Sequence, residues 1–118
     1  MKPYPVAYAK RAAVQTELER LKKEGVIIPV DYSEWATPVV PVEKSDGTIR
    51  LCGNFKCTVN PALKVETYPM PTIQDVFDKL AGGQKFTQID LAHAYQQIEM
   101  DEESQELLVI NTFQGLFK

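Results

Sequence analysis

Among the ionisable side chains, Asp90 has the most informative setting. It ends the run Lys85 to Asp90, in which Phe86, Gln88 and Asp90 alternate with Thr87 and Ile89, the period-two pattern of a strand. A carboxylate at a strand end lies beside backbone carbonyls released from the ladder, and together these offer the hard oxygen ligands that Mg²⁺ takes. The same position suits a helix N-cap, and no obvious second carboxylate stands ready for the site. Lys44 and Arg50 flank the turn Lys44-Ser45-Asp46-Gly47, from which an ammonium and a guanidinium can reach toward a phosphate. The alternative for both is solubilising charge around an exposed turn. Glu99, Asp101, Glu102, Glu103 and Glu106 read as a solvated acidic turn, and the single histidine, His93, as a structural or surface residue. Cys52 and Cys57 have no second pair, which is too little for a structural zinc site or a disulfide framework, so both are expected to be reduced. A P-loop, a dinucleotide-binding glycine pattern and a nucleophile elbow are absent from the sequence.

The elements that must position these residues are punctuated by glycine and proline. Tyr8 to Glu24 reads as a helix with Val14, Leu18 and Leu21 as its apolar stripe, Lys22 and Lys23 in its last turn and Gly25 as its stop. Val26 to Pro29 reads as a short strand, and residues 31–35 as a polar loop anchored by Trp35. Val39 to Glu43 and Thr48 to Phe55 read as a hairpin joined through the Asp-Gly pair, with Pro41 placing the first strand at an edge or bulge. Cys57 to Met70 reads as an irregular connection. Thr72 with Asp75 forms the signature of a capping box, and Ile73, Val76, Phe77 and Leu80 the buried face of the helix that follows, ended by Gly82-Gly83. After the strand to Asp90 come a short turn or helix over Ala92 to Gln97, a strand over Glu106 to Thr112 and a turn at Phe113-Gln114-Gly115. The pattern stops where a returning strand begins, which reads as a fragment with an unpaired sheet edge. Irregular alternation of this kind predicts an α+β fold with a mixed or antiparallel sheet and two main helices.

Size and composition agree with one small domain: 118 residues, 44% hydrophobic and 25% charged. No apolar run approaches the length of a membrane span and no signal core follows the N-terminus, so an intracellular location without membrane partners is expected. The net charge of −3 argues against a strongly basic nucleic-acid binder but conceals an asymmetry. Residues 1–60 carry nine Lys/Arg against seven Asp/Glu, and residues 61–118 four against nine. The first half suits a phosphate-bearing ligand and the second a cation.

Several segments, in order, resemble the reverse transcriptases of LTR retrotransposons, especially Gypsy-type pol polyproteins. They include Val26-Ile27-Ile28-Pro29 after the first helix, Ser33-Glu34-Trp35-Ala36-Thr37-Pro38-Val39-Val40-Pro41-Val42, and Ile49-Arg50-Leu51-Cys52-Gly53-Asn54-Phe55-Lys56. Val59-Asn60-Pro61-Ala62-Leu63, Tyr68-Pro69-Met70-Pro71 and Phe86-Thr87-Gln88-Ile89-Asp90-Leu91-Ala92-His93-Ala94-Tyr95-Gln96-Gln97-Ile98 complete the set. The resemblance implies part of a right-hand polymerase fold, with residues 1–70 fingers-like and 71–118 the start of the palm. It implies RNA-directed DNA polymerisation on a template-primer with deoxynucleoside triphosphates and two Mg²⁺ ions. Asp90 matches the first catalytic aspartate and the Leu91 carbonyl a metal contact. Arg50 and Lys44 match fingers residues that contact the triphosphate. His93 and Ala94 match backbone positions lining the nucleotide site, and Tyr95 the aromatic residue beneath the sugar that excludes a ribose 2′-hydroxyl. Asn54 departs from the family's usual aspartate. The Tyr-x-Asp-Asp motif, which supplies the other carboxylates, does not occur in these residues. The resemblance therefore implies partnership with the remainder of the polymerase, a cytoplasmic setting and no activity alone. The alternative is a retroelement-derived module that binds nucleic acid or protein without catalysis.

Overall fold

The computed structural model describes residues 1–64 and 68–118; the part of the expected connection at 65–67 lies outside them. In chain order the regular elements are α1 (Tyr8–Lys23), β1 (Pro29–Val30), β2 (Thr37–Glu43), β3 (Ile49–Gly53), α2 (Ile73–Leu80), α3 (Glu102–Leu107), β4 (Ile110–Thr112) and β5 (Gly115–Phe117). Short 3₁₀ turns occupy Phe55–Cys57, Asn60–Ala62 and Ala94–Gln97. The chain forms two compact units, one of Met1–Leu63 with Glu99–Lys118 and the other of Lys64–Ile98. Among the described residues no helix is long and apolar enough to cross a membrane.

The first unit holds a five-stranded mixed sheet in the order β1-β5-β4-β2-β3. All neighbours are antiparallel except β2 and β4, where Thr37 and Pro38 run parallel to Ile110 and Asn111. Helix α1 lays its predicted stripe on this sheet. Val14 and Leu18 join Ile49 and Phe117 in a core cluster, with Val6, Ile27, Leu51 and Ile110 packed around it. The helix ends at Lys23, with Glu24 as its C-cap. Gly25, at φ 71°, lets the Gly25 N–H donate to the Lys22 carbonyl and the Val26 N–H to the Leu21 carbonyl, the paired bonds of a Schellman ending. The fully buried Thr37 hydroxyl lies 2.7 Å from that of Thr58, which satisfies both.

Several expectations are corrected. The first strand is Pro29–Val30 rather than 26–29, although Ile28 also exchanges two backbone hydrogen bonds with Lys118. Pro41 does not mark an edge strand, since β2 lies between β3 and β4. Its missing N–H is tolerated because β4 reaches only Thr37 and Pro38, leaving that side of Pro41 unpaired. Residues 106–112 are not one strand: Asp101 caps α3 by accepting the Ser104 N–H, and the chain extends only from Ile110. A third helix therefore joins the two expected. The returning strand does form, as β5, and pairs with β4 on one side and β1 on the other, so the unpaired edge expected there is absent.

The second unit has helix α2 with its capping box intact. Thr72 Oγ1 accepts the Asp75 N–H, and the Asp75 carboxylate accepts the Thr72 N–H at 2.7 Å. The predicted apolar face does occupy one side, but it is not buried: Ile73 is 76% exposed and Phe77 63%. Residues 85–90 form no ladder with any described strand. Their alternation is a necessary feature of a strand, whereas pairing with a neighbour is what makes one. Every described residue of this unit is exposed.

Candidate functional site

Lys44 and Arg50 stand on the β2–β3 hairpin. The ladder pairs Val42 with Arg50 and Glu43 with Ile49, and the Lys44 N–H donates to the Thr48 carbonyl to close it. The Gly47 N–H then returns to the Lys44 carbonyl with Gly47 at φ 79°, a three-residue loop with glycine in the left-handed position. Alternation sends Val39, Pro41, Ile49 and Leu51 to the face that meets α1, where Val39 and Ile49 are buried. The other face carries Val40, Val42 and Arg50, and Lys44, two positions beyond Val42, continues it. The two cations the sequence singled out thus share the outer face of one hairpin. Among the described residues the Arg50 guanidinium has no hydrogen-bond or ion-pair partner, so its five N–H donors are open to a ligand. At the tip, the Asp46 carboxylate accepts from the Thr48 hydroxyl (2.6 Å) and N–H (2.9 Å). These bonds, with the Lys44 charge adding to them, hold Asp46 below the usual carboxylate range. The tip is therefore pinned while the cations on its flank remain available.

Asp90, Leu91, His93, Ala94 and Tyr95 belong to the second compact unit. Asp90 lies in irregular, unpaired chain rather than at a strand end, and all five residues are exposed. The route from α2 is narrowed by Phe86, whose ring lies so close over Gly83 that a Cβ there would meet it at 2.7 Å. His93 adopts φ 51° and ψ 47°, the only non-glycine with positive φ among the described residues. Its carbonyl accepts the Gln96 N–H at 2.8 Å, starting the 3₁₀ turn that carries Ala94 and Tyr95. Tyr95 is 94% exposed. No sequence signal announced the left-handed residue, since histidine only tolerates that region.

A Mg²⁺ site needs about six oxygen ligands, several of them anionic. Asp90 brings one carboxylate and Leu91 one carbonyl, and no group of three or more His, Cys, Asp or Glu converges among the described residues. This donor set does not by itself fit a metal ion.

No protein-family model matches the chain. It is 51% identical over 116 residues to uncharacterized protein K02A2.6 of Caenorhabditis elegans, covering 97% of this chain and 9% of that protein. It is 29% identical to a retrovirus-related Pol polyprotein from transposon 297 of Drosophila melanogaster, over 99% of this chain and 11% of the relative. The transposon Tf2-3 polyprotein of Schizosaccharomyces pombe is 30% identical over 98% of this chain and 8% of its own length. The homologues of this chain are retroelement Pol polyproteins. It spans about a tenth of the length of the curated relatives it matches. Native prototype foamy virus protease-reverse transcriptase superposes on 99% of this chain with a TM-score of 0.81 at 26% identity, covering 15% of that polypeptide. Its CSH mutant gives 0.83 at 24%, with 99% and 16% covered. The foamy viral enzyme in complex with double-stranded DNA gives 0.76 at 21%, with 99% and 20% covered. This mixed α+β architecture is thus that of one part of a viral protease-reverse transcriptase.

Proposed function

We propose that these residues are the fingers (1–70) and the start of the palm (71–118) of a Gypsy-type retrotransposon reverse transcriptase. The supporting observation is the likeness of nearly the whole chain to part of a protease-reverse transcriptase, at a TM-score of 0.81. On this reading the primer 3′-oxygen attacks the α-phosphorus of a deoxynucleoside triphosphate on an RNA template, and pyrophosphate leaves. Lys44 and Arg50 hold the triphosphate from the hairpin's outer face, Arg50 through its planar fork of donors. The His93 and Ala94 backbone lines the sugar pocket, and the Tyr95 ring closes it against a 2′-hydroxyl. In the complete enzyme Mg²⁺ supplies charge neutralisation at the phosphates. Asp90 and the Leu91 carbonyl would be two of its ligands, and the remaining carboxylates would have to come from elsewhere in the polyprotein. Residues 1–118 alone are therefore inactive, the template-primer and the rest of the polymerase are their partners, and they work in the cytoplasm. The foamy viral complex with double-stranded DNA supports a nucleic-acid partner.

The test is primer extension on an RNA template with Mg²⁺, beside a binding titration at two salt concentrations. The expected result is no extension, with template-primer binding that weakens as salt rises. Extension that disappears in Asp90→Asn overturns the incomplete site. Absence of both extension and binding overturns the nucleic-acid surface and leaves a protein-binding module.

A further inference from the structure

Two adjacent glutamines follow Tyr95, and the structure uses them differently. Gln97 Nε2 donates to the Ala92 carbonyl at 2.8 Å, spanning back across the left-handed residue His93. Among the described residues from Lys85 to Ile98, no other side chain makes a hydrogen bond, and that of Gln96 has no partner. No described residue of this unit is buried, so packing among them does not hold the turn. What restrains it is two backbone 3₁₀ bonds, from the Gln96 N–H to the His93 carbonyl and from the Ile98 N–H to the Tyr95 carbonyl, and the Gln97 tie to Ala92. A left-handed conformation costs an L-residue energy and persists only where its surroundings impose it.

We infer that Gln97 is a positioning residue of the proposed nucleotide site: through the Ala92 carbonyl it locks the left-handed turn at His93 and thereby aims the Tyr95 ring. The inference rests on the polymerase reading for what the turn binds, but not for how the turn is held. A leucine of similar size at position 97 removes the donor. A lysine keeps one on a chain long enough to reach the same carbonyl. Gln96→Leu removes a side chain of identical type that bonds to nothing.

The experiment is NMR of the full 118-residue chain and these three variants, read first without ligand. In the native chain and in Gln96→Leu, His93 shows the strong intraresidue amide-to-α-proton cross-peak of a positive φ. In Gln97→Leu that signature is lost and exchange of the Gln96 amide speeds up roughly three- to tenfold, while Gln97→Lys restores both. An unchanged His93 signature in Gln97→Leu, or equal effects of Gln96→Leu and Gln97→Leu, overturns the inference. Titration with dATP and with ATP follows. A preference for dATP at the Ala94 and Tyr95 amides that narrows only in Gln97→Leu supports the nucleotide role. No preference in the native chain refutes the nucleotide reading, whereas the ligand-free spectra still decide whether Gln97 holds the turn.

Discussion

The unit formed by Met1–Leu63 and Glu99–Lys118 and the unit formed by Lys64–Ile98 obey the same local rules to different ends. Helix α1 has no side-chain N-cap, yet its stripe of Val14, Leu18 and Leu21 is buried. Helix α2 has a complete capping box and a clean apolar face, and buries nothing. Capping and periodicity determine whether a segment is helical, while burial requires a second surface to meet the stripe. The first unit has that surface in its sheet. The second presents its face and its candidate site residues to solvent.

The difference is most sharply tested by paired truncations. Leu18→Ala should cost about 2–5 kcal/mol, read by chemical denaturation through Trp35, the single tryptophan. Phe77→Ala should cost less than about 0.5 kcal/mol in the same assay. Equal losses would mean that the α2 face is buried in solution and would break the comparison. Next in size is Thr37→Val, which strips the Thr58 hydroxyl of its partner and should cost about 1–2 kcal/mol. Thr72→Ala should remove about 1 kcal/mol of α2 stability, seen as lost helical circular dichroism while the Trp35 transition stays in place.

The same cap gives a pH test. The Thr72 hydroxyl and N–H hold Asp75 below the usual aspartate range. Its folded value lies below its unfolded one, so the stabilisation is complete above the ordinary aspartate pKa and is lost as pH falls through the depressed folded value. Helicity that falls at higher pH, near neutrality, would contradict the sign. The smallest effect belongs to Asn54→Asp. Asn54 Nδ2 donates to the Tyr4 hydroxyl at 3.0 Å, and a carboxylate can instead accept from that hydroxyl, so the change should stay within about 0.5 kcal/mol.

Features carried by near neighbours in the chain were legible before any coordinates: the α1 stripe with its Gly25 ending, the Asp46-Gly47 turn, and the Thr72–Asp75 box. Those that depend on distant partners were not. The alternation over 85–90 has the pattern of a strand but no neighbour to pair with, and nothing near Pro29 signals that its partner is Phe117. Helix α3 is a different case, because Asp101 followed by Glu102 and Glu103 is a helix start in its own right. The acidic run hid it. Of the candidate site, hairpin alternation brings Lys44 and Arg50 to one face, whereas the tie between Gln97 and Ala92 has no sequence signature.

Strand β5 separates events in time as well as in space. Val30 is in register with Leu116, so β1 has no ladder to join until residues nearly ninety positions later have left the ribosome. At ordinary elongation rates that delay is on the order of ten seconds. Helix α1 and the β2–β3 hairpin depend on contacts close in sequence and can form early. Phe117, one of the four core-cluster residues, arrives last. During translation the nascent chain therefore carries Val14, Leu18 and Ile49 without the aromatic ring that covers them, and over that interval it has most need of a chaperone.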